Sequence, residues 1–162
     1  MDDERLASLY RKFGPAIYSR CRRMLLDEGA AEDAAQETFL RVARHLDSAP
    51  TTDDALYWIY RIATNHCLNE LRSRKNHASL DSELEVSADG ASGEQRIIDR
   101  DLARRLVLRA PEHLRAAAWL HHVDGLKQGE VATVLGVSRR TVVSYLVAFK
   151  TYAKKFIARS AA

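Results

Sequence analysis

Basic and hydroxyl side chains near the carboxyl end of the chain have the spacing of a DNA-reading helix. Val142 and Leu146 lie four residues apart and predict a buried stripe. The residues expected to point away from that stripe are Arg139, Arg140, Thr141, Ser144 and Tyr145, with Lys150 further along. Arginine donates two parallel hydrogen bonds to guanine in the major groove, and further basic residues neutralise phosphates. This spacing therefore predicts a helix that reads duplex DNA.

The residues before this helix predict the rest of a helix-turn-helix. Val131 and Ala132 are spaced as inward positions of a short helix, and the small Ala132 lets two helices cross closely. Gly136 suits the left-handed backbone that ends such a helix, and Ser138 is a favourable N-cap for the next one. A plain helical hairpin shares these features. The run of residues 139–159, which is basic and contains no acid, favours DNA binding over simple packing.

A second cluster combines aromatic and basic side chains on the predicted helix 55–75. Its members are Tyr57, Trp58, Tyr60, Arg61, Asn65 and Arg72. Aromatic rings stack on unpaired bases, arginines hold phosphates and an asparagine pairs with a base edge, which suits a separated DNA strand better than a duplex. Aromatic residues on helices more often belong to a core, so that alternative stays open here. The predicted buried stripe of this helix consists of Leu56, Ile59, Ile62, Ala63, Cys67 and Leu71.

A third candidate site is a pair of carboxylates on a predicted helix over residues 30–47. Asp33 and Glu37 are four residues apart, so both project from one side, with Gln36 and Arg41 beside them. An exposed acidic helix face suits a basic partner helix, although a solvated surface would have the same composition. The inward face of this helix is predicted to be Ala31, Ala35, Thr38, Phe39, Val42 and Leu46.

Length and composition exclude several classes of protein. The 162 residues include 25 Lys plus Arg against 22 Asp plus Glu, and 46% are hydrophobic, which is ordinary globular composition. This length allows one medium domain or two small ones. No apolar run approaches the roughly 20 residues that span a bilayer, and the amino terminus has no signal-peptide stretch. We therefore expect a cytoplasmic protein without a membrane partner.

An enzyme is not favoured by the cysteines and histidines. Cys21 and Cys67 do not form a CxxC pair, and both are expected to be half-buried thiols inside helices. The six histidines are scattered, and the adjacent His121 and His122 would point about 100° apart on a helix, which is poor for one metal. We expect no catalytic residue, no metal and no cofactor.

Helical periodicity runs through most of the chain and predicts an all-α fold. The first 25 residues form one apolar stripe, interrupted at Gly14-Pro15, where we expect a kink or the start of another helix. Residues 77–95 are rich in Ser and acidic side chains and predict a flexible acidic linker. Two small helical domains result, at 1–76 and 96–162.

Four runs occur in order along this chain: LYRKFGPAIYSRCRRML, EDAAQETFLRVAR, WIYRIATNHCLNELR and LKQGEVATVLGVSRRTV. Together they resemble the sigma factors of bacterial RNA polymerase, specifically the compact extracytoplasmic-function (ECF) group of the sigma-70 family. The resemblance implies an N-terminal region 2 of three or four helices over 1–76 and a C-terminal helix-turn-helix region 4 over 96–162. It also implies promoter-specific transcription initiation, without an enzymatic reaction of the chain's own.

The resemblance further implies partners and residue roles. Core RNA polymerase would be bound through its β′ clamp coiled coil and its β flap, and an anti-sigma factor would be a separate regulatory partner. The implied polymerase-binding residues are Asp33, Gln36, Glu37 and Arg41. The residues implied to open and hold the −10 element as a single strand are Tyr57, Trp58, Tyr60, Arg61, Asn65 and Arg72. The residues implied to read the −35 element as a duplex are Arg139, Arg140, Thr141, Ser144, Tyr145 and Lys150.

The chain departs from the family pattern on the predicted DNA-reading helix. Val143 stands where a basic residue is frequent, and Tyr145 and Ala148 stand where arginine is common. The sequence that is read may therefore be unusual. Two other functions remain open from the residues alone. They are a stand-alone helix-turn-helix regulator that binds duplex operators, and a protein-interaction adapter that lacks DNA binding.

Overall fold

A computed structural model describes residues 2–51, 54–77 and 100–160 of the chain. Its helices are α1 (Asp2–Leu25), α2 (Glu28–Arg44), α3 (Asp54–His77), α4 (Arg100–Arg109), α5 (Glu112–Ala118), α6 (Gln128–Leu135) and α7 (Arg139–Ser160). A 3₁₀ turn at Leu46–Ser48 follows α2, and a π-helical turn at Trp119–Val123 follows α5. These ranges contain no strand, so the predicted all-α class is confirmed.

The helices form two compact units. One contains Met1–Leu71 with Val134–Gly136, and the other contains Arg72–Thr133 with Val137–Ala162. The domain boundaries drawn from the sequence, at residues 76 and 96, stay predictions. The acidic linker lies outside the described residues, apart from His77 at the end of α3.

The first helix buries the apolar stripe that its sequence predicts. Its buried apolar residues are Phe13, Ile17, Cys21, Met24 and Leu25. The helix runs unbroken through Pro15, so of the two alternatives predicted there the start of a second helix is wrong, and the kink stays a prediction. A proline inside a helix leaves the carbonyl four residues earlier without its donor. Arg11 and Pro15 are both exposed, which leaves that carbonyl on the solvent side of α1.

A tight connection joins α1 to α2. Leu26 takes the left-handed backbone conformation with φ 58°. Asp27 then caps α2, since its carboxylate accepts a 2.9 Å hydrogen bond from the backbone N–H of Ala30. The cap starts α2 at Glu28, two residues before the predicted start at Ala30, because an N-cap side chain satisfies an otherwise unpaired N–H of the first turn.

The buried face of α3 differs from the predicted stripe. Its fully buried residues are Ala55, Ile59, Ala63, Thr64, Cys67 and Leu68. Leu56, Ile62 and Leu71, which were expected in the core, are only half-buried. This face is turned toward α1, since Thr64 and Cys67 on it contact Arg20 and Cys21 of that helix.

A buried arginine joins α1 to α3. Arg20 is 1% exposed, and its guanidinium donates to the Thr64 hydroxyl at 3.3 and 3.4 Å. The same guanidinium lies 4.7 Å from the centroid of the Tyr60 ring. Burying a cation is costly unless hydrogen bonds and a π face compensate for lost water. The apolar periodicity of α1 does not predict this contact.

The two cysteines are completely buried, which corrects the expectation of half-buried thiols. Cys21 on α1 and Cys67 on α3 are both 0% exposed and unoxidised. A hydrogen bond to Cys21 and burial both raise the pKa of Cys67. This thiol is therefore protonated at neutral pH and is a small core residue.

The C-terminal unit packs around Trp119 and Leu120, both almost fully buried. After Ala118 the chain stays helical but widens from α5 into the π-helical turn at Trp119–Val123. Four consecutive residues, 117–120, are buried there, so the chain is enclosed on more than one side at this turn. Arg104 lies over the Trp119 ring at 5.2 Å.

The left-handed Leu26 is a site where glycine should stabilise the protein. A side chain in this conformation costs about 1–2 kcal/mol, whereas glycine adopts it freely. Leu26 is 72% exposed, so little apolar contact would be lost. We expect Leu26→Gly to raise the free energy of unfolding by about 1 kcal/mol in urea denaturation.

The same substitution in a helix provides the control. Leu40 is 53% exposed but lies inside α2, where Leu→Gly should lower the free energy of unfolding by about 1 kcal/mol. Equal destabilisation by both variants would contradict the assigned backbone strain at Leu26.

Candidate functional site

The predicted helix-turn-helix is present as α6, α7 and the turn between them. Three residues separate α6 from α7, and the chain direction changes by 107° between the two helices. Helix-turn-helix pairs cross at about 90–120°. Gly136 has φ 67°, which confirms the predicted left-handed turn. The hydroxyl oxygen of Ser138 accepts a 3.1 Å hydrogen bond from the backbone N–H of Thr141, which confirms the predicted N-cap.

One buried stripe holds α7 against its own unit. Val142, Leu146 and Phe149 are buried at steps of four and three residues. The Phe149 ring lies 5.4 Å from the His122 ring and 6.4 Å from the Tyr152 ring. This stripe determines which α7 side chains face solvent.

Four of the six predicted duplex-reading residues are exposed on α7. They are Arg139, Arg140, Ser144 and Lys150. Thr141 is half-buried, and its hydroxyl lies 2.9 Å from that of Ser138. Tyr145 is also half-buried, with its ring 6.1 Å from the His113 ring in an edge-to-face arrangement. Thr141 and Tyr145 thus have structural contacts, whereas the other four are open to a partner.

Two apolar residues of α7, outside the predicted DNA-reading set, are also exposed. Val143 is 38% exposed and Val147 is 60% exposed. They stand three and seven residues after Arg140 and share its face. The apolar periodicity could not identify them, because valine at steps of three and four is read first as core.

On α3 the predicted strand-binding residues divide between two faces. Trp58, Arg61, Asn65 and Arg72 recur at steps of three, four and seven and share one face. Along it Trp58 and Arg61 are half-buried, and Asn65 and Arg72 are exposed. Tyr57 is 39% exposed on a neighbouring strip. This face combines one aromatic plane, two cations and an amide.

Tyr60 lies on the other side of α3. The guanidinium of Arg20, on α1, covers its ring at 4.7 Å, and Tyr60 is half-buried. A ring with a cation on one face has only its other face for stacking. The structure therefore places Tyr60 with the α1 contact and apart from Trp58.

The carboxylates of α2 differ in their surroundings. Glu37 is half-buried and accepts from Arg41 at 3.2 Å, with Arg44 at 4.0 Å. Asp33 is exposed, and no ion pair to it occurs within the described ranges. The like-charge repulsion between Asp33 and Glu37 is therefore reduced, and Asp33 remains available to an external cation.

An apolar side chain lies on the same face of α2. Leu40, which is 53% exposed, follows Gln36 by one turn. Gln36 also lines a groove of about 540 Å³ between α1 and α2, whose walls include Tyr10, Tyr18 and Phe39. The acidic face drawn from the sequence is therefore mixed, with apolar surface beside its charge.

A histidine of α3 is half-buried near the Glu37–Arg41 pair. Burial lowers the pKa of His66, and the Arg41 charge lowers it further, while Glu37 opposes the change. The imidazole is therefore neutral at pH 7 and adds no charge to this surface. Among the residues described by the structure, no three His, Cys, Asp or Glu side chains are grouped to hold a metal ion.

Taken singly, none of the described helices is long and apolar enough to cross a bilayer. One bent pair, residues 128–135 with 139–159, passes by length and composition alone.

Comparison with known proteins identifies the family. The model of Sigma-70 region 2 matches residues 9–77. The ECF RNA polymerase sigma factor SigW of Bacillus subtilis is 29% identical over 154 residues, which are 87% of this chain and 82% of that protein. The RNA polymerase sigma-H factor of Pseudomonas aeruginosa is 30% identical over 84% of this chain and 77% of its own length. The ECF RNA polymerase sigma-E factor of Salmonella typhimurium is 33% identical over 72% of this chain and 68% of its own length.

The chain belongs to the ECF group of RNA polymerase sigma factors. Sigma factors of this family direct promoter-specific transcription initiation and are non-catalytic initiation factors. These relatives favour that function over the stand-alone operator-binding regulator. The solved structure of CnrH in complex with the cytosolic domain of CnrY is 16% identical, with a TM-score of 0.51 over 97% of this chain and 90% of that one. It shares the fold of this sigma factor.

The Ser138 cap should stabilise α7 of the sigma factor. Replacing an N-cap serine by alanine leaves a first-turn N–H unpaired and costs about 1 kcal/mol. We expect Ser138→Ala to lower the free energy of unfolding of the C-terminal unit by about that amount, measured by urea denaturation. Ser138→Thr keeps the accepting oxygen and is the matched control. A Ser138→Thr variant as unstable as Ser138→Ala would argue against the cap.

Proposed function

We propose that this sigma factor holds three partners with three exposed helix faces. The α2 face binds core RNA polymerase, the α3 face holds the separated −10 strand, and the α7 face reads the −35 duplex. The proposal rests mainly on the geometry and charge of α7. This helix is capped and set at 107° to α6, and its exposed side is basic and free of acid.

The −35 duplex would be read from the amino-terminal half of α7. Arg139 and Arg140 are exposed where the helix begins, which is the part of a recognition helix that reaches base edges. Ser144 follows one turn after Arg140 and can donate or accept at a base. Lys150 is exposed two turns later and suits a phosphate. We assign Thr141 and Tyr145 to support this surface, because their side chains already contact Ser138 and His113.

The −10 strand would lie along one face of α3. Trp58 offers a plane for a base that has left the stack, and Asn65 offers a donor and an acceptor for its edge. Arg61 and Arg72, on the same face, can hold the phosphates on either side. Tyr60 would act indirectly, by holding Arg20 and so the position of α3 on α1.

Core RNA polymerase would dock on α2, through its β′ clamp coiled coil. Asp33 and Gln36 are exposed for polar contacts, and Leu40 adds an apolar contact that the sequence did not indicate. Glu37 and Arg41 would mainly keep this face in shape, because they pair with each other. The mixed surface suits a partner helix with basic and apolar side chains.

The sigma factor would have a second polymerase contact, a protein regulator and a cytoplasmic site of action. The β flap of the polymerase would contact the C-terminal unit. A separate anti-sigma protein would bind and regulate the chain, in the way that CnrH is found in complex with the cytosolic domain of CnrY. The sigma factor would act in the cytoplasm, where the polymerase acts. RNA synthesis belongs to the polymerase, and we assign this chain no catalytic step.

Charge reversal on α2 tests the polymerase contact. Asp33→Arg should weaken binding to core RNA polymerase about tenfold or more, because like charges then face each other across the interface. Binding is measured by pull-down with purified core enzyme, and function by run-off transcription from a library of genomic fragments.

The matched control for this test is Asp47→Arg. Asp47 is also exposed, but it lies on the 3₁₀ turn beyond α2. The Asp47→Arg variant should bind core RNA polymerase and initiate transcription as the wild type does. Unchanged binding by Asp33→Arg would remove the α2 face from the model, and a wild-type protein without affinity for core enzyme would remove the function.

Two α7 substitutions separate base reading from phosphate binding. Arg140→Ala should cost about 1–3 kcal/mol on the preferred −35 sequence and relax preference at one base pair. Lys150→Ala should weaken all sequences alike and reduce the salt dependence by about one ion. Holoenzyme affinity for promoter duplexes is measured at several salt concentrations.

Arg23→Ala is the control for these two variants. Arg23 is exposed on α1 and carries the same charge, so its loss should leave duplex preference intact. Equal losses by Arg140→Ala on every sequence would reassign Arg140 to a phosphate.

A further inference from the structure

The exposed face of α7 has an apolar strip within its basic surface. Val143 is 38% exposed and Val147 is 60% exposed, and they are one helical turn apart. Arg140 and Ser144 lie on the same face. This strip is not part of the core, since Val142, Leu146 and Phe149 form the buried stripe of the helix.

The surroundings of the strip indicate what could cover it. A partner must tolerate several cations and also present small apolar groups at the spacing of one helical turn. In the major groove, the C5-methyl of thymine is the apolar group among base edges that otherwise donate or accept hydrogen bonds. The γ-methyl groups of valine match the thymine methyl in size and polarity. A valine side chain has no hydrogen-bonding group, so an apolar contact is its means of recognising a base edge.

We propose that Val143 and Val147 read thymine methyl groups in the −35 duplex. The inference rests on the proposed function, because it requires α7 to lie in the major groove. Arg140 then holds a base edge at one end of the strip and Lys150 a phosphate at the other. These valines contribute specificity for T·A pairs that the charged residues cannot supply.

The spacing of the two valines sets the spacing of the thymines. Four helical residues rise about 6 Å, and successive base pairs are about 3.4 Å apart along DNA. A helix lying along the groove therefore brings Val143 and Val147 to positions about two base pairs apart. The two methyl groups can belong to either strand.

The experiment removes the methyl group from the DNA and the valine from the protein. Holoenzyme made from the full chain and core RNA polymerase first selects promoters from a genomic fragment library by run-off transcription. The recovered promoter is then synthesised with deoxyuridine in place of each upstream thymine, one position at a time. Wild type, Val143→Ala and Val147→Ala are compared on this set for duplex affinity.

Wild-type holoenzyme should lose about fourfold in affinity at two thymine positions about two base pairs apart, the value of one buried methyl group. Val143→Ala should be insensitive to deoxyuridine at one of these positions, and Val147→Ala at the other. Alanine favours the helix more than valine does, so α7 should form in both variants. Leu26→Ala, which also removes an exposed apolar side chain, should keep both sensitivities.

Two results would overturn the inference while leaving the proposed function in place. One is a wild-type holoenzyme that is indifferent to deoxyuridine at every upstream position. The other is a valine variant with the same deoxyuridine sensitivity as the wild type. If the holoenzyme recovers no promoter at all, the proposed function fails first, and the inference fails with it.

Discussion

Burial of Val142, Leu146 and Phe149 fixes the rotation of α7 about its own axis, and the C-terminal surface depends on that rotation. These three side chains pack the helix against its neighbours, and the His122 ring lies beside the Phe149 ring. A rotation by one residue, about 100°, would bury a cation of the exposed face and expose this buried stripe to water. The exposed order of Arg140, Val143, Ser144 and Val147 is therefore a consequence of core packing and not of DNA.

The turn before α7 adds direction to this rotation. Gly136 takes a conformation that is costly for other residues, and Ser138 satisfies an N–H that the helix itself cannot. These local devices set the 107° change of direction. As a result, the amino-terminal end of α7, with its exposed arginines, is not hidden by α6. A helix dipole with its positive end at this terminus also favours phosphate.

In the N-terminal unit, a buried cation adds to the apolar packing between helices. Arg20 joins α1 to α3 through Thr64 and the ring of Tyr60. Such a contact adds little net stability but tolerates only one arrangement of its partners, since an unpaired buried cation is costly. It explains why Tyr60, which looks like a stacking residue in the sequence, is part of the scaffold, and why Trp58 is the aromatic plane on the outer face.

What the sequence determined by itself is the local structure: an all-α chain, the turn at Gly136, the Ser138 cap and the basic outer side of α7. Helical periodicity and capping depend on residues within one or two turns of each other, so they can be read without knowing the fold. Only the tertiary structure decided which side of α3 is buried, since its aliphatic residues surround much of the helix and the neighbour chooses among them. It also decided the continuity of α1 through Pro15, the π turn after Ala118 and the exposure of Leu40, Val143 and Val147. Each of these depends on the atoms that distant parts of the chain bring to one place or leave open to water.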